Sequence, residues 1–123
     1  MRENITPQQT FDAIVVSKFN QWEWWGHHSI PWDTAEGTPD YWNFVMPVLD
    51  PVVDVMHRML VTHNILIGAM RRIADGRVQR YVSWDTYEAC MRFLNDGPED
   101  AEFDENSADQ VMQVATLGEV AFG

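Results

Sequence analysis

Four histidines and nineteen acidic side chains are the groups in this chain that could hold a metal ion or move a proton. Asp50, Asp54 and His57 follow one another at spacings of four and three residues, which would place them on one face of a helix. His27 or His28 could reach that face from a preceding loop. Such a cluster holds divalent ions and activates water, so one alternative for the function is a small helical metal-dependent phosphohydrolase.

Simpler roles account for the same carboxylates. Asp50 stands directly before Pro51, as an N-cap residue stands before a proline at the first helical position. Asp54 lies four residues before Arg58, which is the spacing of a surface ion pair. The single cysteine, Cys90, lies on the apolar face of a predicted helix, where a thiol is usually inert. We therefore predict no metal, no cofactor and no catalytic residue, and we expect the protein not to be an enzyme.

Aromatic side chains are concentrated in the stretch QWEWWGHHSIPW, residues 21–32, which holds four of the six tryptophans. Trp22 and Trp25 continue the apolar face of a predicted helix, whereas Trp24 is rotated by about 200° from Trp22 onto the polar side. We expect the first two to lie in the core and Trp24 to contact either the following loop or another molecule. The partner-contacting residues predicted in this part of the chain are Trp24, His27, His28, Trp32, Asp33 and Glu36.

The second candidate contact region is acidic, because residues 96–109 hold seven acids in fourteen positions. An extended chain would space these charges by about 6–7 Å, whereas duplex DNA presents one charge per ~1.7 Å of its axis. A nucleic-acid mimic would therefore need acids from other elements as well. The partner-contacting residues predicted here are Glu99, Asp100, Glu102, Asp104 and Glu105.

The net charge of the chain is −11, and it is unevenly distributed. Residues 58–84 have five basic side chains and one acidic, whereas residues 85–123 have one basic and ten acidic. General binding of nucleic acid is excluded by this balance, because Lys and Arg side chains must neutralise the phosphates. An acidic surface instead attracts a basic partner and raises the rate of association.

Helices are predicted to position both contact regions. Three helix-start signals, in which Thr or Asp stands before Pro, occur at Thr6, Thr38 and Asp50. A further cap, at Ser83 or Asp85, starts another helix, and residues 77–83 alternate in polarity as a short strand would. The five predicted helices cover about residues 7–25, 39–46, 51–74, 84–96 and 107–118.

The predicted helix over residues 51–74 is apolar nearly all round and would be about 37 Å long, the width of a domain of this size. A helix with so little polar surface is either central to a fold or part of a subunit interface. The predicted fold is therefore a single all-α domain, residues 1–123, of about five helices packed as a bundle around this central helix. It has at most one isolated strand and includes the acidic loop 96–109. A homodimer through the 51–74 helix is a further expectation.

The longest apolar run, residues 65–70, falls short of the ~18 residues of a membrane span. The single cysteine excludes an internal disulfide, and the N-terminus shows no signal pattern, so we expect a cytoplasmic protein without membrane contact. The function predicted is that of a non-enzymatic acidic protein-binding protein, an inhibitor or adaptor. Its partner would be a basic protein, including one that itself binds nucleic acid. An accessory subunit of a larger enzyme complex is a further alternative.

Overall fold

The first element of the fold is a short N-terminal helix, seen in a computed structural model that describes residues 5–15 and 38–122. Helix α1, Pro7–Thr10, continues as a π-helical turn, Phe11–Val15. Thr6 Oγ1 accepts a hydrogen bond from Gln9 N, and Gln9 Oε1 accepts one from Thr6 N, which makes a reciprocal capping box. The predicted start of this helix is confirmed, and its predicted continuation to residue 25 lies outside the described residues.

The middle of the chain forms a β-hairpin where helices are predicted from the sequence. Strand β1, Asn43–Asp50, pairs antiparallel with strand β2, Val55–Thr62. The predicted helix over residues 39–46 is therefore wrong. The predicted central helix over residues 51–74 is correct only from His63 onward.

Alternating burial is the physical basis of strand β1. Phe44, Met46 and Val48 are fully buried, whereas Val45 between them is exposed, as the two-residue period of a strand requires. Pro47 is tolerated because each strand of a two-stranded sheet has one edge that needs no N–H donor. Strand β1 thus buries alternate residues, and not residues at the three- and four-residue spacing that a helix would bury.

The turn between the strands is closed by Asp50, the residue that is predicted from the sequence to cap a helix. Asp50 Oδ1 accepts hydrogen bonds from Val52 N at 2.8 Å and from Val53 N at 3.4 Å. Asp54, whose φ is 56°, donates its N–H to Asp50 O at 2.9 Å. Asp followed by Pro therefore caps a four-residue hairpin turn in the same way that it would cap a helix, and the local sequence does not distinguish the two.

Three longer helices follow the hairpin. They are α2, His63–Ala74, α3, Trp84–Asn95, and α4, Glu105–Leu117. Ser83 Oγ accepts a hydrogen bond from Thr86 N, which confirms the first of the two caps predicted for α3. Gly118, in the left-handed conformation with φ 83°, ends α4 where the sequence predicts an end. Residues 77–83 form bends and a turn, so the predicted strand there is wrong.

The core lies between these helices and the inner face of the hairpin. Helix α2 packs against both α3 and α4, and its Leu66 and Met70 are fully buried with Phe93 of α3 and Met112 of α4. The N-terminal helix joins this core through Trp42, whose indole N–H donates to Pro7 O at 2.7 Å. The Trp42 ring also meets the ring of Phe11 edge-on at 5.3 Å between centroids.

The described chain is therefore a mixed α/β structure, with four α-helices and a two-stranded antiparallel sheet, and the predicted all-α fold is wrong. The cause is the hairpin, which takes the place of the predicted short helix and of half the predicted central helix. Within residues 5–15 and 38–122, no helix has both the length and the apolar character to cross a membrane.

Candidate functional site: an acidic cleft

Helix α3 and the segment that follows it line an open cleft of about 590 Å³. Its volume lies in the range of small-molecule sites, about 300–1,000 Å³, but those sites are mostly apolar, whereas carboxylates dominate here. We call this feature the acidic cleft. Its charged lining residues are six acids and one arginine: Asp85, Glu88, Arg92, Glu99, Asp100, Glu102 and Asp104.

Phe103 holds one wall of the acidic cleft against the core. It is 3 % exposed, and its ring meets the ring of Phe93 edge-on at 5.6 Å between centroids. Full burial of a phenylalanine side chain contributes about 1.5–3 kcal/mol, which offsets part of the entropy lost by ordering the chain around it. The acidic run is therefore anchored to the core by Phe103, while the carboxylates of Glu99, Asp100, Glu102 and Asp104 stay exposed to solvent, as the composition indicates.

Backbone geometry fixes the two ends of this wall. Gly97 is buried at φ 119° and ψ 157°, a conformation that only glycine adopts without strain, and it donates its N–H to Arg92 O at 3.0 Å. The 3₁₀-helix Pro98–Asp100 follows directly. At the other end Asp104 Oδ1 accepts a hydrogen bond from Ser107 N at 2.7 Å and caps α4. The carboxylates between these points lie on a short and defined path.

Helix α3 forms the opposite wall. Asp85 lies in its first turn, where the helix dipole favours a negative charge. Glu88 Oε1 and Arg92 Nη2 are 2.8 Å apart and form an ion pair between residues one turn apart, with both side chains partly exposed. Because the one guanidinium of the lining is paired with one carboxylate, the excess negative charge comes from the other five acids.

Four of the five contact residues predicted in the acidic run lie together in the cleft, and Glu105 does not. It is exposed in the first turn of α4, outside the lining. Asp85 and Glu88 were not among the predicted contact residues, although their spacing of three residues on a predicted helix indicates a shared face. The four predicted residues that line the cleft are Glu99, Asp100, Glu102 and Asp104.

The tryptophan-rich half of the predicted contact surface falls in residues 16–37. That part of the chain lies outside the described residues, so these contacts stay predictions. The residues concerned are Trp24, His27, His28, Trp32, Asp33 and Glu36.

The carboxylates and imidazole of the metal alternative lie at the tip of the hairpin and not on a helix face. His57 Nε2 is 3.5 Å from Asp50 Oδ2 across the two strands, and Asp54 lies in the turn. In the part of the chain that the structure describes, no three His, Cys, Asp or Glu side chains are grouped as a metal site. His27 and His28 lie outside that part.

Two titratable groups with shifted pKa values, Cys90 and the partly buried His63, lie away from the cleft lining. Cys90, on α3, is fully buried as expected, and desolvation raises the pKa of its thiol to about 12. The thiol is therefore protonated, and so poorly nucleophilic, at neutral pH. His63 is 2.9 Å from Thr10 Oγ1 through its Nδ1, and burial lowers its pKa.

A second depression, of about 620 Å³, lies at the start of α3. Trp84 is 70 % exposed and packs on Tyr87 at 5.3 Å between ring centroids. Val78 and Val82 line the same depression. Its aromatic and apolar lining contrasts with the carboxylates of the acidic cleft.

Comparison of the chain with protein-family models, with curated proteins and with solved structures finds no match. The chemistry of the acidic cleft is therefore the observation on which a functional proposal can be based. Several carboxylates on two fixed walls form a site suited to cationic side chains.

Proposed function

We propose that the protein is a non-enzymatic binding protein that engages a basic protein partner through the acidic cleft. The observation that supports this most is the convergence of six carboxylates on two walls, one of them anchored by Phe103. Lys and Arg side chains of the partner would enter the cleft and form charge-assisted hydrogen bonds there. The cell compartment is part of the same proposal, and we place the protein in the cytoplasm.

The magnitude of the electrostatics favours a partner with several cationic groups. A single exposed ion pair is worth only about 0.2–1 kcal/mol, so one Lys would bind weakly. Several pairs formed together gain more, because the two walls that carry the carboxylates are already folded before binding. Clustered acids also raise the association rate by long-range attraction.

A partner with a dense basic surface fits the cleft best, and proteins that bind nucleic acid have such surfaces. Binding would cover part of that basic surface and compete with its other acidic ligands. The function we propose is therefore that of an inhibitor or adaptor. Direct binding of nucleic acid is disfavoured, since the cleft would place carboxylates against phosphates.

A short Lys- and Arg-rich peptide is the direct probe for this proposal. Calorimetric titration should show saturable binding at low salt, and the affinity should fall as ionic strength rises from about 50 to about 500 mM and the screening length shortens. The test variant combines Glu99→Gln, Asp100→Asn and Glu102→Gln. These three acids line the cleft and do not cap a helix, so the fold should be retained.

A variant of equal net charge separates local binding from general attraction. It combines Asp40→Asn, Asp75→Asn and Glu119→Gln, three exposed acids outside the cleft lining. We expect the cleft variant to bind the peptide about tenfold more weakly than wild type, and the control variant to lose less than about twofold. Equal losses in the two variants would show that only the total charge matters, and the proposal would be wrong.

A further inference from the structure

The hairpin exposes an apolar surface at its outer face. Directly opposed residues of an antiparallel pair share a face, so Val45 and Leu60 form one outer pair, and Leu49 and Met56 form another. Leu60 is 50 % exposed, Met56 44 % and Val45 39 %. The inner face, by contrast, contains the fully buried Met46 and belongs to the core.

The tip of the hairpin extends this apolar surface. Val52 is 88 % exposed and Val53 57 %. Together with Val45, Met56 and Leu60 they make five exposed aliphatic side chains on the outer face and tip of the hairpin; we call them the hairpin patch. Each fully exposed side chain of this kind presents about 60–120 Å² of apolar surface, so the patch presents about 170–330 Å². The opposed pair Pro47 and Arg58 lies between the two outer pairs, so Arg58 is the one charged residue within the patch. A patch of that size approaches the largest apolar patch of a typical monomer, about 300–600 Å², which often serves in binding.

Strand β2 has a backbone edge able to pair. Among the described residues, β1 is the one strand that pairs with β2, which leaves its other edge without a strand partner there. Strand β1 contains Pro47, which lacks an N–H and weakens its own edge for pairing. Strand β2 contains no proline, and Arg58 is its one formally charged residue. The edge of β2 is therefore the better of the two for adding a strand.

Charge indicates which partner fits the hairpin patch. Residues 41–62 contain Asp50, Asp54 and Arg58 as their charged side chains, whereas the whole chain has a net charge of −11. Two copies of so acidic a protein repel each other over most of their surfaces. The hairpin is the nearly neutral region where two copies can approach without placing carboxylate clusters together.

We infer that the hairpin patch is the contact surface for a second copy of this chain, in a symmetric dimer formed by two hairpins. The inference is independent of the function proposed for the acidic cleft. The same surface on both copies is self-complementary, as a two-fold interface requires. The dimer leaves both acidic clefts free, because α3 and residues 98–104 are not part of the hairpin.

The expected dimer is weak. Two hairpin patches together bury about 340–660 Å² of apolar surface. With the surrounding polar atoms, such an interface lies at or below the low end of specific interfaces, about 1,200 Å². Interfaces of that class are transient, and we expect a dissociation constant in the micromolar range. Added salt should tighten the dimer, because it screens the repulsion between two acidic copies.

Sedimentation equilibrium over a range of protein concentrations tests the inference on the intact chain. Wild type should pass from monomer to dimer in the micromolar range. Leu60→Lys places a charge in the hairpin patch of both copies and should weaken the dimer by at least about tenfold. Leu60 is half exposed, so circular dichroism should show the variant folded. Wild-type amides of β2 should also exchange more slowly as concentration rises.

Trp84→Lys is the matched control, because it introduces the same charge at an exposed apolar residue outside the hairpin. It should leave the dissociation constant of the dimer unchanged. A wild-type chain that stays monomeric up to about 100 µM would overturn the inference, whether residues 16–37 or another protein then cover the patch. A dimer that Leu60→Lys leaves intact, or that Trp84→Lys weakens equally, would overturn it as well.

Discussion

The acidic segment, residues 96–104, and the hairpin, residues 43–62, each contain residues whose burial the average composition does not indicate. The acidic segment exposes its carboxylates, yet Phe103 anchors it to the core. The hairpin is rich in aliphatic residues, yet the outer face of its two strands and its tip are exposed. The average polarity of a segment therefore does not decide its burial. A single anchoring side chain or an alternating pattern decides it instead.

The largest expected difference between the two regions comes from truncating one side chain in each. Phe103→Ala should destabilise the protein by about 3–5 kcal/mol, because it leaves a cavity beside Phe93. Leu60→Ala should cost about 1 kcal/mol or less, since Leu60 is already half exposed. Urea unfolding followed by circular dichroism measures both values. Equal losses would mean that the acidic segment is no better anchored than the hairpin.

Two glycine substitutions should change the free energy of unfolding by smaller amounts and in opposite directions. Gly97→Ala should destabilise by about 1–3 kcal/mol, because its φ of 119° is strained for any residue with a Cβ. Gly68→Ala, inside α2, should instead stabilise by about 0.5–1 kcal/mol, since among the described residues beyond its chain neighbours and its own helix backbone no atom lies within 4 Å of the added Cβ. Thermal melts of the two variants check the pair. A neutral Gly97→Ala would contradict the geometry that starts the cleft wall.

The smallest effect is expected from added salt, which should change the binding affinities of the two regions in opposite directions. Raising ionic strength from about 50 to about 500 mM should weaken peptide binding at the acidic cleft by about tenfold, as screening removes the attraction. The same change should tighten the hairpin dimer by a few-fold, as screening removes the repulsion. Titration and sedimentation in the same buffers measure the two responses. A common direction would mean that one surface serves both contacts.

The sequence predicted helix ends better than it predicted the elements between them. The predicted cap Thr6, the first of the two alternatives Ser83 and Asp85, and the predicted end of the last helix near Gly118 are confirmed, because capping depends on local hydrogen bonds. The hairpin was missed because Asp50 before Pro51 caps a turn as well as a helix. Residues 53–63 also match the helical period by chance, and long-range pairing with β1 decides the outcome.

The candidate site was predicted only in part, again because contacts between residues far apart in the sequence are not visible in a local pattern. The acids of residues 99–104 are adjacent in sequence, so their composition alone indicates them. Asp85 and Glu88 join them only because α3 packs beside that segment, which is a tertiary contact. The anchoring role of Phe103 likewise depends on Phe93, ten residues away. Site residues that are adjacent in the sequence were therefore predicted, whereas those that come together only in the fold were not.

Backbone amide shift mapping with the Lys- and Arg-rich peptide tests the central claim, that the acidic cleft is the site of partner binding. The measurement compares all exposed acids and the hairpin in one experiment on the wild-type protein. We predict that the largest shift changes fall on residues 85–92 and 98–105, with little change in residues 43–62. Changes spread evenly over all exposed acids, or centred on the hairpin, would contradict the account.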